Sequence, residues 1–548
     1  ADLRLHIVAL CVFKPPRRWR CSSRSSWAAQ LFVLLAGGEM AARDPLRAAD
    51  SLGTSSPTEV ALEGGPPHLP AEKGLWSEAF VQLKLSLPIA GANLLQRSTT
   101  WVTWACVGHL GPQFLGPVTL ASSVNNVLGT SVVGGLSMGI STLAAQAYGA
   151  GDDLALSRVL QTGILVNLLG SLPCVLLLLV IKPLLLTMRM EDIFASRAGN
   201  YALCVLLVTP FMGAQRAIGM WLVSQRIAAP RLWVQVVILP IHAALTYWLT
   251  FSMHWGYVGA GVAMSLSSVL QMAMLYCYIS VSPTCKRCWK GFGKEAFRDW
   301  GPYLHVALPG VLMNAEYWVG ESLTFAAGLL HDPDTCLSAL AVYQLTQTTC
   351  YQVPSGIRMA VSARVGNQLG AGEPDKASIS ALAGLRLVLI WMCFPTVVLL
   401  AFTRGWGLIF TRDEKVLSLL KTLVYLMLVY SNLDAVLAYY NGVLSACGQQ
   451  SISGTWAIRG YVFIGFPLAI IFAFGCGWGV VGLMLGHCIG KLCHTVPCIF
   501  ATWRIDWPAE AERATARVRR ISASDVALPM LAAAPAAATS GSARCGAA

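Results

Sequence analysis

Two carboxylates interrupt the apolar run LMNAEYWVGESLTFAAGLL (312–330): Glu316 and Glu321. A third, Asp434, sits inside YSNLDAVLAYYNGVLSACG (430–448). Ionisable groups in such settings are rare and costly, and by default they mark a functional site facing a cavity. A carboxyl shielded from water holds its proton more firmly, and a nearby organic cation favours its charged form. A proton and a cationic ligand would therefore compete for the same group, which is the physical core of exchange transport. The alternative for each acid is a structural one, a carboxyl tying two spans together. Five residues along a regular helix rotate by about 140°, so Glu316 and Glu321 are not expected to address one ligand together.

Groups suited to a flat cation surround these acids. Asn314, Tyr317 and Trp318 adjoin Glu316, and Tyr440 and Asn441 follow Asp434. Aromatic faces attract cations by about 0.5–2 kcal/mol each, although aromatics in apolar helices more often pack or anchor. A polar run, Gln344, Thr346, Gln347, Thr348 and Thr349, reads as cavity lining, with Gln344 and Gln347 its longest members. One cation falls in an early apolar stretch, Arg97 in NLLQRSTTWVTW. It would contact an anion if it faced a cavity, and otherwise snorkels or pairs helices.

These residues need long helices to position them. Of 548 residues, 55% are hydrophobic and 12% charged, and the mean hydropathy is +0.59. A soluble chain carries about twice that charge. Runs such as LPCVLLLLVIKPLLL and VLIWMCFPTVVLLAF belong to stretches of the length that crosses a bilayer as a helix, roughly 20 residues. The chain thus reads as an all-α polytopic membrane protein. Expected spans are 81–107, 115–147, 156–187, 194–224, 230–253 and 257–281, then 301–330, 338–370, 376–403, 416–446, 453–475 and 479–502. The twelve helices form an N-lobe (76–281) and a C-lobe (301–505) joined by a basic linker (282–300). Residues 1–75 read as a disordered or mispredicted extension, with Met40 as a candidate start, and 506–548 as a disordered tail.

The halves look duplicated. A shift of 221 lays GLSMGISTLAAQAYGAG (135–151) on GIRMAVSARVGNQLGAG (356–372), and Leu87-Pro88 and Asn93 on Leu308-Pro309 and Asn314. A shift of 223 lays WGYVG (255–259) on WGVVG (478–482). Duplication is the habit of secondary transporters, whose sites lie where the repeats meet. Linker residues Lys286, Arg287, Lys290, Lys294 and Arg298 place that loop, and both termini, in the cytosol. Arg189, Arg404, Arg412 and Lys415 run against this pattern.

The net charge of +12 lies mainly in termini and connections, with no basic helix or phosphate-cradling loop, so nucleic acid is not an expected partner. The 17 cysteines are scattered, and one CxxC, Cys285 to Cys288, stands without a second pair. The nine histidines are dispersed, and no nucleophile–base constellation suggests an enzyme. His109 in VGHLG reads as a capping group.

RVGNQLGAGEPDKA, QAYGAG, VGHLG and IFTRDEKV resemble the multidrug and toxic compound extrusion (MATE) family, in its plant and animal branch, over roughly 76–505. The resemblance implies a two-lobed fold around a central cavity, exporting organic cations, or in some plant members organic anions or secondary metabolites, against protons or sodium. It matches Glu316 and Glu321 to the two helix-7 acids of eukaryotic members, and Asp434 to the helix-10 acid. The helix-1 aspartate of bacterial relatives has no counterpart here. The expectation is a proton-coupled antiporter of organic cations or xenobiotics, in the plasma membrane or an organelle membrane such as the vacuole. Its partners would be a small molecule and the bilayer, with no cofactor, metal or obligate protein partner. Alternatives are an exporter of anions such as citrate or phenolic conjugates, with Arg97 as anchor, and a lipid-precursor flippase.

Overall fold

The computed structural model describes residues 72–523 apart from 298–299, all within one compact unit, Leu69–Ala548. Among the described residues regular structure is entirely helical. The first half holds α1 (Glu72–Leu110), α2 (Gln113–Gly149), α3 (Asp153–Thr187), α4 (Asp192–Ser224), α5 (Ala229–Ser252) and α6 (Gly256–Val281). The second holds α7 in two segments, Gly301–Leu312 and Ala315–Ala327, and α8 in two, Pro333–Cys350 and Gln352–Gly370. It continues with α9 (Pro374–Ala401), α10 (Glu414–Ala446), α11 (Gln450–Gly475) and α12 (Gly479–Trp503), and a final α13 (Trp507–Ala523).

Among the described residues, nine helices, α2–α6 and α9–α12, are long and apolar enough to cross a membrane. Of the rest, α1, α7 and α8 carry most of the polar residues singled out above, Asp434 and Asn441 of α10 excepted. Their side chains, rather than lipid, set their composition. The outer helices keep bare apolar flanks, with Leu176, Trp233, Val397 and Phe463 all exposed. In water such flanks would aggregate; against lipid tails they are solvated.

The duplication is legible in atoms. The equivalent serines Ser141 and Ser362 hydrogen-bond each other at 2.9 Å. A Cβ on Gly149 would lie 2.0 Å from the Asn367 carbonyl oxygen, and one on the equivalent Gly370 2.0 Å from that of Gln146. These reciprocal contacts bring α2 and α8 backbone to backbone across a pseudo-two-fold axis, as small residues allow in membrane helices. At the 223 shift, Gly256 and Gly479 share positive φ, 58° and 54°, and α5 and α11 both end in a π-helical turn, Trp248–Ser252 and Ile471–Gly475.

The N-terminal core packs Ile140, Leu143, Leu156, Leu160 and Trp221, whose Nε1 donates to the Leu156 carbonyl at 2.9 Å. The C-terminal core packs Leu323, Leu340, Tyr343, Leu423, Met427 and Leu483. One face gathers the 6–7 linker, the α2–α3 turn and α13. Arg287 there pairs with Asp153 at 2.8 Å, and Gln161 donates to the Gly291 carbonyl at 2.7 Å.

Three expectations need correction. The span 301–330 is not one helix: the chain breaks at Met313–Asn314, where the Asn314 side chain donates to the Ser131 carbonyl of α2. The tail expected to be disordered from 506 carries α13, because Ala511, Ala514, Val518 and Ile521 fall on one stripe and are buried; 524–548 lie outside the described residues. The extension 1–75 ends in helix, since α1 begins at Glu72, and its remainder, 1–71, is likewise outside them. Cys285 and Cys288 are buried free thiols, and Cys288 donates to Asp153 at 3.1 Å. Among the described residues no His/Cys/Asp/Glu group is arranged to hold a metal. His109 is exposed in the last turn of α1.

Candidate functional site

Glu316 starts the second segment of α7 and points into the C-terminal half. Lys491 Nζ on α12 donates to its Oε2 at 2.7 Å, and the Tyr461 hydroxyl on α11 to the same oxygen at 3.1 Å. The Tyr430 hydroxyl on α10 donates to Oε1. Lys491 donates equally to Asp434 Oδ1, at 2.5 Å. One ammonium thus bridges two carboxylates from different helices. Gln347 of α8 lies beside Asp434.

Helix periodicity explains the convergence. Tyr430 and Asp434 stand four apart on α10, and His487, Lys491 and His494 at four and three apart on α12, so each set shares a face. His487 Nε2 lies 3.2 Å from the Tyr430 hydroxyl, and Lys491 Nζ lies 4.7 Å from the centre of the Tyr430 ring. The lysine can be swallowed because α11 and α12 approach closely beside it. A Cβ on Gly490 would sit 2.9 Å from the Gly460 carbonyl oxygen, and one on Gly465 2.9 Å from the Gly490 Cα.

Exposure divides the trio. The Lys491 side chain is 0% exposed, Asp434 8% and Glu316 25%. Glu316 is therefore the group that something entering from outside reaches first, with Asp434 behind it. With all three ionised the set carries one net negative charge.

Glu321 goes elsewhere, as the 140° rotation requires. Its Oε2 accepts from Ser123 on α2 at 3.0 Å, and Arg97 on α1 is its nearest cationic influence. Arg97 is thus placed by Glu321 and the α4 residue Arg216, not by the Glu316–Asp434 set. Asn314 donates to the Ser131 carbonyl at 2.7 Å, and Trp318 Nε1 to the Ser131 hydroxyl at 3.0 Å. Both pin the break in α7 to α2. Tyr317 is 45% exposed.

The remaining sequence candidates scatter. Gln344 donates to Thr324 of α7 at 3.0 Å. Thr346, Thr348 and Thr349 spend their hydroxyls on carbonyls one turn back in α8, so only the two glutamines of that run reach another helix. Tyr440 is buried against Tyr439, 4.8 Å between ring centres, in the core between α8, α9 and α10. Asn441 accepts from Ser453 at 2.6 Å, and Ser453 also meets His494 at 2.9 Å. Neither Tyr440 nor Asn441 is brought to the acids.

Sequence reading missed Lys491, Tyr430, Tyr461 and His487. The signal was present for the first: a lysine midway along GHCIGKLCHTVPC is as anomalous in a membrane helix as a glutamate. Once Lys491 is noticed, His487 and His494 fall on its face by spacing alone.

Comparison with known proteins fits this picture. The MatE family model matches twice, over 88–248 and 310–471, once in each half. Multidrug and toxin extrusion protein 2 of Oryctolagus cuniculus is 31% identical over 443 residues, 81% of this chain and 73% of the relative. Protein DETOXIFICATION 16 of Arabidopsis thaliana is 30% identical, covering 83% of this chain and 94% of that one. The crystal structure of the eukaryotic MATE transporter AtDTX14 superimposes with a TM-score of 0.78 at 27% identity, covering 81% of this chain and all of that one. Twelve helices in two lobes, a family model repeated in each half, and relatives from plants and animals lead to one statement: this chain is an integral membrane protein of the MATE family of multidrug and toxin extrusion transporters.

Proposed function

We propose that the protein exports organic cations in exchange for protons, and that the exchange takes place on Glu316 and Asp434. The observation that carries this reading is the single lysine shared by two carboxylates. Leaving net charge in the membrane interior costs several kcal/mol. The set is neutral when it holds one proton or one monovalent organic cation, and not when it holds both or neither. Occupancy by one excludes the other without any further device. Glu316, the exposed member, meets the cation; Tyr430 and Tyr461 orient its carboxylate; Asp434 and Lys491 keep the total charge fixed. The lobes then part alternately about the α2–α8 seam. No cofactor is required, the coupling ion being a proton, with sodium the alternative.

On this reading the linker and α13, rich in Lys and Arg, and the α2–α3 turn that packs with them lie in the cytosol, with an outer side facing the exterior or an organelle lumen. The test is uptake of tetraethylammonium into proteoliposomes with an acidic lumen. Gradient-dependent accumulation lost in Glu316→Gln supports the reading. Normal accumulation by that variant overturns it.

A second reading, organic-anion export, is favoured by Arg97 and Arg216 on the N-terminal side, with Arg358 of α8 close to Arg216. Labelled citrate, moved in place of tetraethylammonium under the same gradient, would select it.

A further inference from the structure

The helix α13 is fastened to both halves. Toward the second half it buries Ala511 and Ala514, and its Glu510 accepts from Gln449 at the end of α10 at 2.7 Å. Toward the first half it buries Val518 and Ile521 among residues of α2, α3 and α4. There Arg158 of α3 donates to the Ile521 carbonyl, and the Ser522 hydroxyl donates to Asp152, the residue that caps α3. Arg517 spans the gap, reaching Gln146 of α2 at 3.5 Å and Glu510 at 3.6 Å.

The last of these attachments lies in a distinctive sequence. Ser522 ends Arg519-Arg520-Ile521-Ser522, with both arginines exposed. Two arginines at the third and second positions before a serine are what arginine-directed protein kinases recognise, by pairing the guanidinium groups with kinase carboxylates. Ser522 is half-buried one residue from the end of α13, so fraying of one turn presents it.

We propose that Ser522 is a phosphorylation site for an arginine-directed kinase, and that phosphorylation undocks α13 from the first half. In the transfer, Ser522 Oγ forms a bond to the γ-phosphorus of ATP and the bond from that phosphorus to the β–γ bridging oxygen breaks. ADP leaves, and the hydroxyl proton passes to the kinase's base and then to solvent. The product has lost the O–H that Asp152 accepts and carries a charge of about −1.5 to −2 in its place. Of the charged groups around it, Asp153 is engaged by Arg287, while Arg158, which donates to the Ile521 carbonyl, keeps its positive charge and is the cation nearest that end of the helix. Asp152 is the carboxylate the phosphate meets, and like charges at contact distance part. The bridge between the halves is then held from one side only.

This inference rests on the cytosolic placement of α13 proposed above. That premise is checked separately: Glu512→Cys, on an exposed position of α13, should react with an impermeant maleimide, above the background of the parent chain, only after cells are permeabilised. Labelling of intact cells would mean the topology has failed.

The test of the site is to incubate the purified full chain with ATP and an arginine-directed kinase, then measure hydrogen exchange. Expected is phosphate on Ser522, none in Ser522→Ala, and exchange of the amides of 515–523 faster by at least about tenfold. In Asp152→Asn, phosphorylation should leave that exchange within about threefold of the unmodified protein, since the amide can donate to the phosphate. Failure of the folded protein to accept phosphate on Ser522, or phosphorylation with unchanged exchange, overturns the proposal.

Discussion

Lys491→Met removes the shared ammonium while keeping an unbranched side chain of similar length. Lys491 Nζ lies 2.7 Å from Glu316 and 2.5 Å from Asp434. At charge-centre separations of about 4 Å and an effective dielectric of about 20, each attraction is worth about 4 kcal/mol. Part of that offsets the cost of dehydrating the lysine, and breaking such a buried pair from one side typically costs about 3–5 kcal/mol. The variant avoids most of this loss by keeping a proton on a carboxyl. It then needs about two positive charges, rather than one, to reach neutrality. A monovalent cation must share the site with a proton, so tetraethylammonium uptake should fall by at least about tenfold, the equivalent of 1.4 kcal/mol. A bis-quaternary dication should lose much less. Glu316→Gln alone leaves no net negative charge and should be inactive, whereas Lys491→Met combined with Glu316→Gln restores a charge of −1 through Asp434. The double variant should therefore exceed both single variants, a non-additivity expected of groups in direct contact. Proteoliposome uptake of mono- and dications under one proton gradient reads all three. Normal tetraethylammonium exchange by Lys491→Met, or a double variant no better than its parents, would refute the charge count.

Tyr461→Phe removes one donor to Glu316; a hydrogen bond to a charged group is worth about 1.5–3 kcal/mol, so uptake should drop by roughly ten- to a hundredfold with the fold intact by thermal denaturation. Arg364→Met strands Glu78, which the guanidinium holds at 2.6 and 2.8 Å where α8 meets α1; a loss of about 3–5 kcal/mol should appear as a markedly lower Tm even in detergent. Gly149→Val places side-chain atoms where the Asn367 backbone already is, and overpacking of about 1–3 kcal/mol or more should lower both Tm and exchange. Thr349→Val removes an exposed hydroxyl bonded only to its own helix, and uptake should be unchanged.

The helices were readable because lipid imposes length and apolarity on each span, and the expected spans recur in the structure apart from the breaks inside 301–330 and 338–370. The repeat was readable because the motifs that match are those packed at the seam: Ser141 with Ser362, and Gly149 and Gly370, each against the other half. Asp434 and Glu316 were found by rarity, but their connection was not, since it runs through Lys491 on a third helix and no local spacing encodes it. Tyr440 and Asn441 illustrate the opposite error. They follow Asp434 closely, yet α10 turns them toward Tyr439 and Ser453. The helix α13 was concealed by composition: alanine supplies half of its buried stripe, so the segment reads as polar until its spacing of three and four is counted.

The most direct measurement is proton release on substrate binding, in weakly buffered detergent solution near neutral pH without a membrane or gradient. Titrating tetraethylammonium into the purified protein should release up to about one proton per molecule bound, as expected when two ligands share a site with one net charge. Glu316→Gln should release none. Binding of tetraethylammonium at full occupancy with no proton released would contradict competition at Glu316 and Asp434.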